Sequence, residues 1–202
     1  PDTKLEIGAA TNVAPKLRLT FKDSGNSIGL GQEYAGIQWK GNDGQGDGVR
    51  ADIRVFGQGT SGETYMTFGT MPAGTSASTN AQEQMRIDSS GNVGIGVIPE
   101  VGGNTWQHIQ FGGTGNIIAR KADTGLGAMF ANNYYINSSN VDSAIQTGEA
   151  ARVFMSAGDI RFDNAQSVSA DAQVTFNTRM KILSNGNVGI GTTSPGSVLH
   201  VS

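Results

Sequence analysis

The sequence predicts an all-β protein built from two tandem β-rich units, and three observations carry that prediction. Short runs of alternating apolar and polar residues are separated by turns rich in Gly, Asn and Asp, the period-2 pattern of half-buried strands. A twelve-residue element recurs at an offset of 95 residues. Glycine, 30 of 202 residues, is about twice as frequent as in an average protein, while charged residues are 15% against a usual ~25%. No segment sustains a 3.6-residue apolar period, so little helix is expected.

The elements follow in chain order. Leu17, Leu19 and Phe21 alternate with polar residues and predict a strand that Asp23-Ser-Gly-Asn26 ends. Gly36-Ile-Gln-Trp39 places Ile37 and Trp39 on one strand face. The Gly-rich stretch 41–48 reads as a surface loop. Val49, Ala51, Ile53 and Val55 predict a further strand. The stretch 72–84 reads as a loop, with one helical turn conceivable over Ser78 to Gln84. Ser89-Ser-Gly-Asn92 and Ser184-Asn-Gly186 are hairpin signals, because Asn and Gly tolerate positive φ. Val168, Ala170, Ala172, Val174 and Phe176 form the most regular alternation in the chain and predict a strand.

The repeat sets the domain organisation. Met85-Arg-Ile-Asp-Ser-Ser-Gly-Asn-Val-Gly-Ile-Gly96 recurs as Met180-Lys-Ile-Leu-Ser-Asn-Gly-Asn-Val-Gly-Ile-Gly191, with Gly91 to Gly96 identical to Gly186 to Gly191. Arg54-Val-Phe56 resembles Arg152-Val-Phe154, and Phe21-x-x-x-Gly25-Asn26 resembles Phe111-x-x-x-Gly115-Asn116. Pro99 and Pro195 follow the two copies, and Leu5 and Ile7 follow Pro1 as Leu199 and Val201 follow Pro195. The expected units are 1–98 and 99–194, with a third beginning at 195–202, in a longer parent protein. A unit of this length exceeds the ~20–45 residues of a solenoid coil. Its apolar content is thin, so other chains are expected to complete the core.

Within the repeat, Val93 and Ile95 share a face, as do Val188 and Ile190. The glycines Gly91, Gly94 and Gly96, with Gly186, Gly189 and Gly191, are read as structural. A Gly inside a strand marks a bulge or the close approach of another backbone, here expected to be a neighbouring chain at an axis. A hairpin turn followed by a weak strand is the plainer alternative.

Several function classes are disfavoured. No run reaches the ~20 apolar residues of a membrane helix, and no secretory signal pattern is present. A net charge of -3 without a Lys/Arg cluster argues against a nucleic-acid partner. Without Cys there is no disulfide framework, thiolate chemistry or Cys-based zinc site. Gly91-x-x-Gly94-x-Gly96 lacks the order of a dinucleotide loop, and no P-loop Gly-Lys-Ser/Thr occurs. No cofactor and no metal are expected. His108 and His200 occupy unrelated repeat positions and read as strand surface residues rather than zinc ligands. No Gly-x-Ser-x-Gly nucleophile elbow is present.

The motif Met-basic-Ile-x-x-x-Gly-Asn-Val-Gly-Ile-Gly followed by Pro resembles the repeat of bacteriophage tail fibres and related virion fibres, often found upstream of an intramolecular chaperone domain. The copy from Arg179 to Pro195 is the closer match, and the first departs at Val97-Ile98, one residue shorter. Gly36-Ile-Gln-Trp39, Asn42-Asp43 and Val49-Arg-Ala-Asp-Ile53 resemble the upstream part of such units. The resemblance implies an elongated, parallel homotrimeric fibre segment with interlocked chains, and a structural and adhesive role in host attachment. Its partners would be itself, other virion fibre or tail proteins and host surface polysaccharide, and its location the virion, acting extracellularly. A tailspike-type glycan-degrading module and a non-viral surface adhesin are the alternatives.

Two aromatic clusters are candidates for contact with a receptor glycan: Trp39 with Asn42 and Asp43, and Tyr134 with Tyr135 near Asn137. Flat rings stack on sugar faces while Asn and Asp bond hydroxyls. Core packing is the plainer role, with at most one of the adjacent tyrosines buried. Trp106 is a weaker candidate. Glycan cleavage would need two carboxylates at ~5–9 Å. Asp43 with Asp47, and Asp159 with Asp163, are the available pairs, and solvated acids are the plainer reading. The Asn42–Gly48 stretch lacks the spacing of a calcium loop and reads as an Asx-rich turn.

Overall fold

The computed structural model describes residues 29–43, 46–59, 61–72, 81–103, 105–121 and 126–202. Fifteen strands and no helix occur among them. They are β1 (Glu33–Asp43), β2 (Gly46–Gly57), β3 (Thr64–Thr70), β4 (Gln82–Ile87), β5 (Val93–Ile95), β6 (Trp106–Phe111), β7 (Gly115–Arg120), β8 (Ala128–Asn132), β9 (Tyr135–Ile136), β10 (Asp142–Ser143), β11 (Gly148–Ser156), β12 (Asp159–Val168), β13 (Asn177–Ile182), β14 (Val188–Ile190) and β15 (Leu199–Val201). Thirteen form one open sheet in chain order, and β9 with β10 form a separate ribbon. Pairing in the large sheet is antiparallel except at β5–β6 and β14–β15.

The two copies of the repeated motif fold alike. Met85 pairs with Ile95 and Ile87 with Val93, and 95 residues later Met180 pairs with Ile190 and Ile182 with Val188. Gly91 and Gly96, and likewise Gly186 and Gly191, hold positive φ, as the turns on either side of the short strand require. Gly94 and Gly189 are buried for a different reason. A Cβ on Gly94 would strike Val97 O and lie 2.6 Å from Pro99 Cδ, and one on Gly189 would strike Thr192 O. The close backbone expected at this glycine is therefore present, but it belongs to the same chain. The segment after Gly-Ile-Gly folds over the strand on its way to the next, parallel one, with Pro99 and Pro195 buried against it.

One face of the sheet carries an unbroken apolar ladder, to which all thirteen strands contribute. Ile37, Ile53, Phe68, Met85, Ile95 and Phe111 are successive cross-strand partners from β1 to β6. From β6 onward, Ile109, Ile117, Phe130, Val153, Phe162, Met180, Ile190 and Val201 continue it to β15. None of these residues is charged and none is buried; Phe130 is 56% exposed.

The opposite face is capped from β6 to β13. The 133–147 excursion, which includes β9 and β10, and the 169–176 segment lie over it. They enclose Trp106, Ile118, Met129, Tyr134, Ile136 and Val174, with Phe154, Val168 and Phe176 packed at the margin.

Four expectations change. The run 168–176 is not a strand: β12 ends at Val168, and a turn follows with Asp171 at φ 62°. Its alternation still buries Val174, but its backbone bonds go to the cap, Asp171 N–H to Ala144 O at 2.8 Å and Val174 N–H to Asp142 O at 2.9 Å. The 41–48 loop is instead the end of the β1–β2 hairpin, with Gly41 opposite Gly48. Within 72–84, Gln82 to Gln84 belong to β4, and 73–80 lie outside the described residues, as do the strand expected at Leu17 to Phe21 and the Phe21-Gly25-Asn26 match. Finally, cross-strand register equates Ile53 with Val153, since Phe68 and Phe162 face them, so the Arg-Val-Phe match is offset by two residues.

Candidate functional site

The capped side is organised around Arg152 of β11. Its Nε lies 2.9 Å from Asp163 Oδ2, and its Nη1 donates to the Tyr134 hydroxyl at 3.0 Å and to Asp142 Oδ2 at 3.3 Å. The guanidinium sits 4.0 Å from the Phe176 ring centre and 5.2 Å from those of Tyr134 and Phe154. Asp163 also accepts from Thr178 Oγ1 at 2.8 Å. Tyr134 donates its hydroxyl to Asp142 Oδ1 at 2.8 Å. Burial, and then the Asp142 charge, push the Tyr134 hydroxyl far above the ordinary tyrosine range, so it stays protonated and donates. Tyr135 gives its hydroxyl to Asp171 at 2.9 Å and is raised likewise, by burial first and that bond second. Burial and the Asp171 charge raise Glu100 as well.

A second buried polar cluster joins the repeat motif to β6. Asn92 takes the His108 backbone N–H on Oδ1 at 3.1 Å and donates to Asp88 Oδ2 at 2.9 Å. Asn116 Nδ2 lies 3.1 Å from His108 Nδ1 and donates to Tyr134 O at 3.2 Å. His108 is thus fully buried, not a strand surface residue as its sequence position suggested. Desolvation, and then the Lys121 charge, lower it to about 4. The unfolded chain therefore takes up this proton first as pH falls. Stability should be complete above pH ~6.5 and decline by up to about 3 kcal/mol by pH ~4, with no further loss from this group below that. Urea midpoints at pH 7 and pH 4 check this: His108→Gln should flatten that part of the acid limb.

The structure separates the sequence candidates. Tyr134 and Tyr135 are both buried, against the expectation of at most one, and neither offers a ring face to a ligand. Trp39 is 52% exposed and projects from β1 on the same side as Ile37, the apolar face. Asn42 pairs with Asp47 and Asp43 with Gly46 across the hairpin end. Asp159 bonds Lys181 Nζ at 2.9 Å and accepts the Ser184 N–H, which hold its carboxyl below the usual range, whereas Asp163 is buried on Arg152. Four strand residues put their Cα atoms ~13 Å apart, beyond the carboxylate spacing of glycoside hydrolysis. No cluster of three potential metal ligands occurs among the described residues. His200 is exposed on β15. Sequence reasoning missed Arg152, Asp142 and Asn116; the Arg-Val-Phe match touched Arg152 without indicating its role.

Neither a protein-family model nor a curated protein sequence matches the chain. Among solved structures, it is similar to the carboxy-terminal domain of the bacteriophage T5 L-shaped tail fibre with its intramolecular chaperone domain. That likeness has a TM-score of 0.52 at 10% identity and covers 96% of this chain and 64% of that one. A second structure of the T5 carboxy-terminal domain matches at a TM-score of 0.49 and 10% identity, covering 97% of this chain and 93% of that one. The all-β fold described above is thus shared with a phage tail-fibre structure, and this chain spans just under two thirds of the chain that includes the chaperone domain.

Proposed function

We propose that this chain is a structural and adhesive segment of a bacteriophage tail fibre, a parallel homotrimer packed about its apolar faces. The observation that supports the reading is the uncharged ladder crossing all thirteen strands on one face. Soluble monomers rarely expose contiguous apolar patches beyond a few hundred Å². An open sheet with one capped and one bare apolar face leaves the bare face for other copies of the chain. Trp39 belongs to that assembly face. The two units, 1–98 and 99–194, with a third begun at 195–202, place successive parts of the ladder along the fibre. The role is mechanical: a rigid β rod on the virion, acting outside the host cell and joined to other fibre or tail proteins. No catalytic step is assigned.

Light scattering tests this. The expected mass is three times 21.0 kDa, persisting in unheated detergent and collapsing on boiling. A stable monomer of 21.0 kDa would overturn the fibre reading.

A further inference from the structure

The two copies of the repeat motif secure the same turn in different ways. The backbone frame is shared. Asp88 N–H bonds Asn92 O at 2.9 Å and Gly91 N–H bonds Asp88 O at 3.0 Å, as Leu183 N–H bonds Asn187 O at 2.8 Å and Gly186 N–H bonds Leu183 O at 2.9 Å. In the first copy the Asp88 side chain completes the turn, accepting the N–H groups of Ser90 at 2.9 Å and Asn92 at 2.8 Å. Its counterpart in the second copy is Leu183, whose side chain has no acceptor. Asn185 takes over, and its Oδ1 accepts the Asn187 N–H at 3.0 Å. That exchange puts an asparagine directly before Gly186, the single Asn-Gly step in the sequence. We infer that Asn185 is a site of spontaneous deamidation, which converts the second turn to an aspartate or isoaspartate linkage and, as isoaspartate, loosens the β13–β14 hairpin.

The reaction needs a nucleophile, an electrophile and a leaving group, and the turn presents all three. Gly186 N is the nucleophile. No side chain shields it, and the space where a Cβ would stand is open to 4 Å. Asn185 Cγ is the electrophile. The Asn187 N–H points at Oδ1, where negative charge develops in the tetrahedral intermediate, and a donor held there stabilises that charge. Asn185 is exposed, so ammonia leaves into solvent. Hydroxide removes the Gly186 amide proton, the N–Cγ bond forms, and the Cγ–Nδ2 bond breaks as the departing ammonia takes a proton from water. Water then opens the cyclic imide. Attack at Cγ gives aspartate with the ordinary backbone. Attack at the main-chain carbonyl gives isoaspartate, with the chain routed through the side chain. One water is consumed and one ammonia released.

Geometry also sets the pace and the place. Gly186 N donates to Leu183 O, so attack waits for that bond to open. The bond lies at the tip of a hairpin in which β14 has three paired positions, and such short exposed ends open locally. Every other asparagine precedes a residue that carries a Cβ. Asn137 provides the internal comparison. Its Oδ1 also accepts N–H groups, from Ser139 at 2.9 Å and Val141 at 3.0 Å, but Ser138 follows it. Isoaspartate adds a methylene to the backbone before Gly186 and takes Oδ1 away from the Asn187 N–H. Both bonds of the turn then lose their register, at a hairpin that holds Ile190 and pairs with β15. The reaction needs only the turn, so it proceeds alike in a monomer or an assembly and stands apart from the fibre reading.

The test is incubation of the folded protein in mildly alkaline buffer, then tryptic digestion and mass spectrometry with electron-transfer fragmentation, which separates aspartate from isoaspartate. Cleavage after Lys181 isolates 182–202, which holds Asn185 and Asn187. The amide-to-acid mass change should collect at Asn185 about tenfold or more faster than at Asn137 or Asn187, and faster as pH rises. Asn185→Ser, the residue of the first copy, should abolish it at this position. Leu183→Asp restores the first copy's carboxylate and draws the Asn187 N–H away from Asn185. It should slow the reaction about fivefold, the worth of one neutral hydrogen bond. The isoaspartate fraction should lose hydrogen-exchange protection at Leu183 and Gly186. The proposal is overturned by no acid at Asn185, by acid appearing equally fast at Asn137, by a rate that Leu183→Asp leaves unchanged, or by unaltered protection in the isoaspartate fraction.

Discussion

Arg152→Ala is expected to lower the stability of the fold by about 3–5 kcal/mol, the usual cost of removing one partner from a buried ion pair. The Arg152 side chain is 10% exposed and that of Asp163 1%. Without the guanidinium, the Asp163 carboxylate keeps the Thr178 hydroxyl and Arg161, whose Nε is 4.0 Å away, which is too little for a desolvated charge. The three rings around Arg152 also lose their common neighbour. Urea unfolding gives the number. Arg152→Met restores much of the packed stem but not the charge, so it should remain destabilised. Arg152→Met combined with Asp163→Leu removes both charges and should recover most of the loss. A loss under about 1 kcal/mol for Arg152→Ala would mean that Asp163 finds another partner.

Phe130→Asp together with Phe162→Asp should dissolve the assembly while leaving the protomer folded. Both side chains are exposed on the apolar face and neither belongs to the capped core. Burying a Phe side chain contributes about 1.5–3 kcal/mol. Burying an unpaired carboxylate instead is unfavourable by several kcal/mol more. The association constant should therefore fall by at least a thousandfold. Light scattering should report 21.0 kDa, with the circular dichroism of strand retained. A variant that still assembles would place the interface elsewhere, and the ladder would lose its assigned role.

The repeat motif was the most legible part of the chain, because its information is local. Gly-Asn turns with positive φ and short Val-Gly-Ile strands recur with the same register 95 residues apart, and a Pro follows each copy. The candidate site was least legible, because its parts come from distant segments. Arg152, Tyr134, Asp142 and Phe176 meet only after the 133–147 excursion and the 169–176 segment fold over the sheet, and no spacing in the sequence encodes that contact. The run 168–176 shows the same limit. Alternation described the inward turn of Val174 but not the exposure of Ala170, and the backbone bonds of the run go to the 142–144 part of the cap rather than to the large sheet.

By itself, the sequence determined the all-β class, the repeated hairpin and the two faces of each strand, since these depend on period and turn chemistry alone. Only the tertiary structure decided which face would be covered, and by what. Ile117 and Ile118 are identical neighbours on β7, yet Ile118 is fully buried under the cap and Ile117 is 43% exposed on the ladder. Period 2 assigns them to opposite sides of a sheet. What lies on each side depends on chain segments tens of residues away, which the pattern along one strand does not contain.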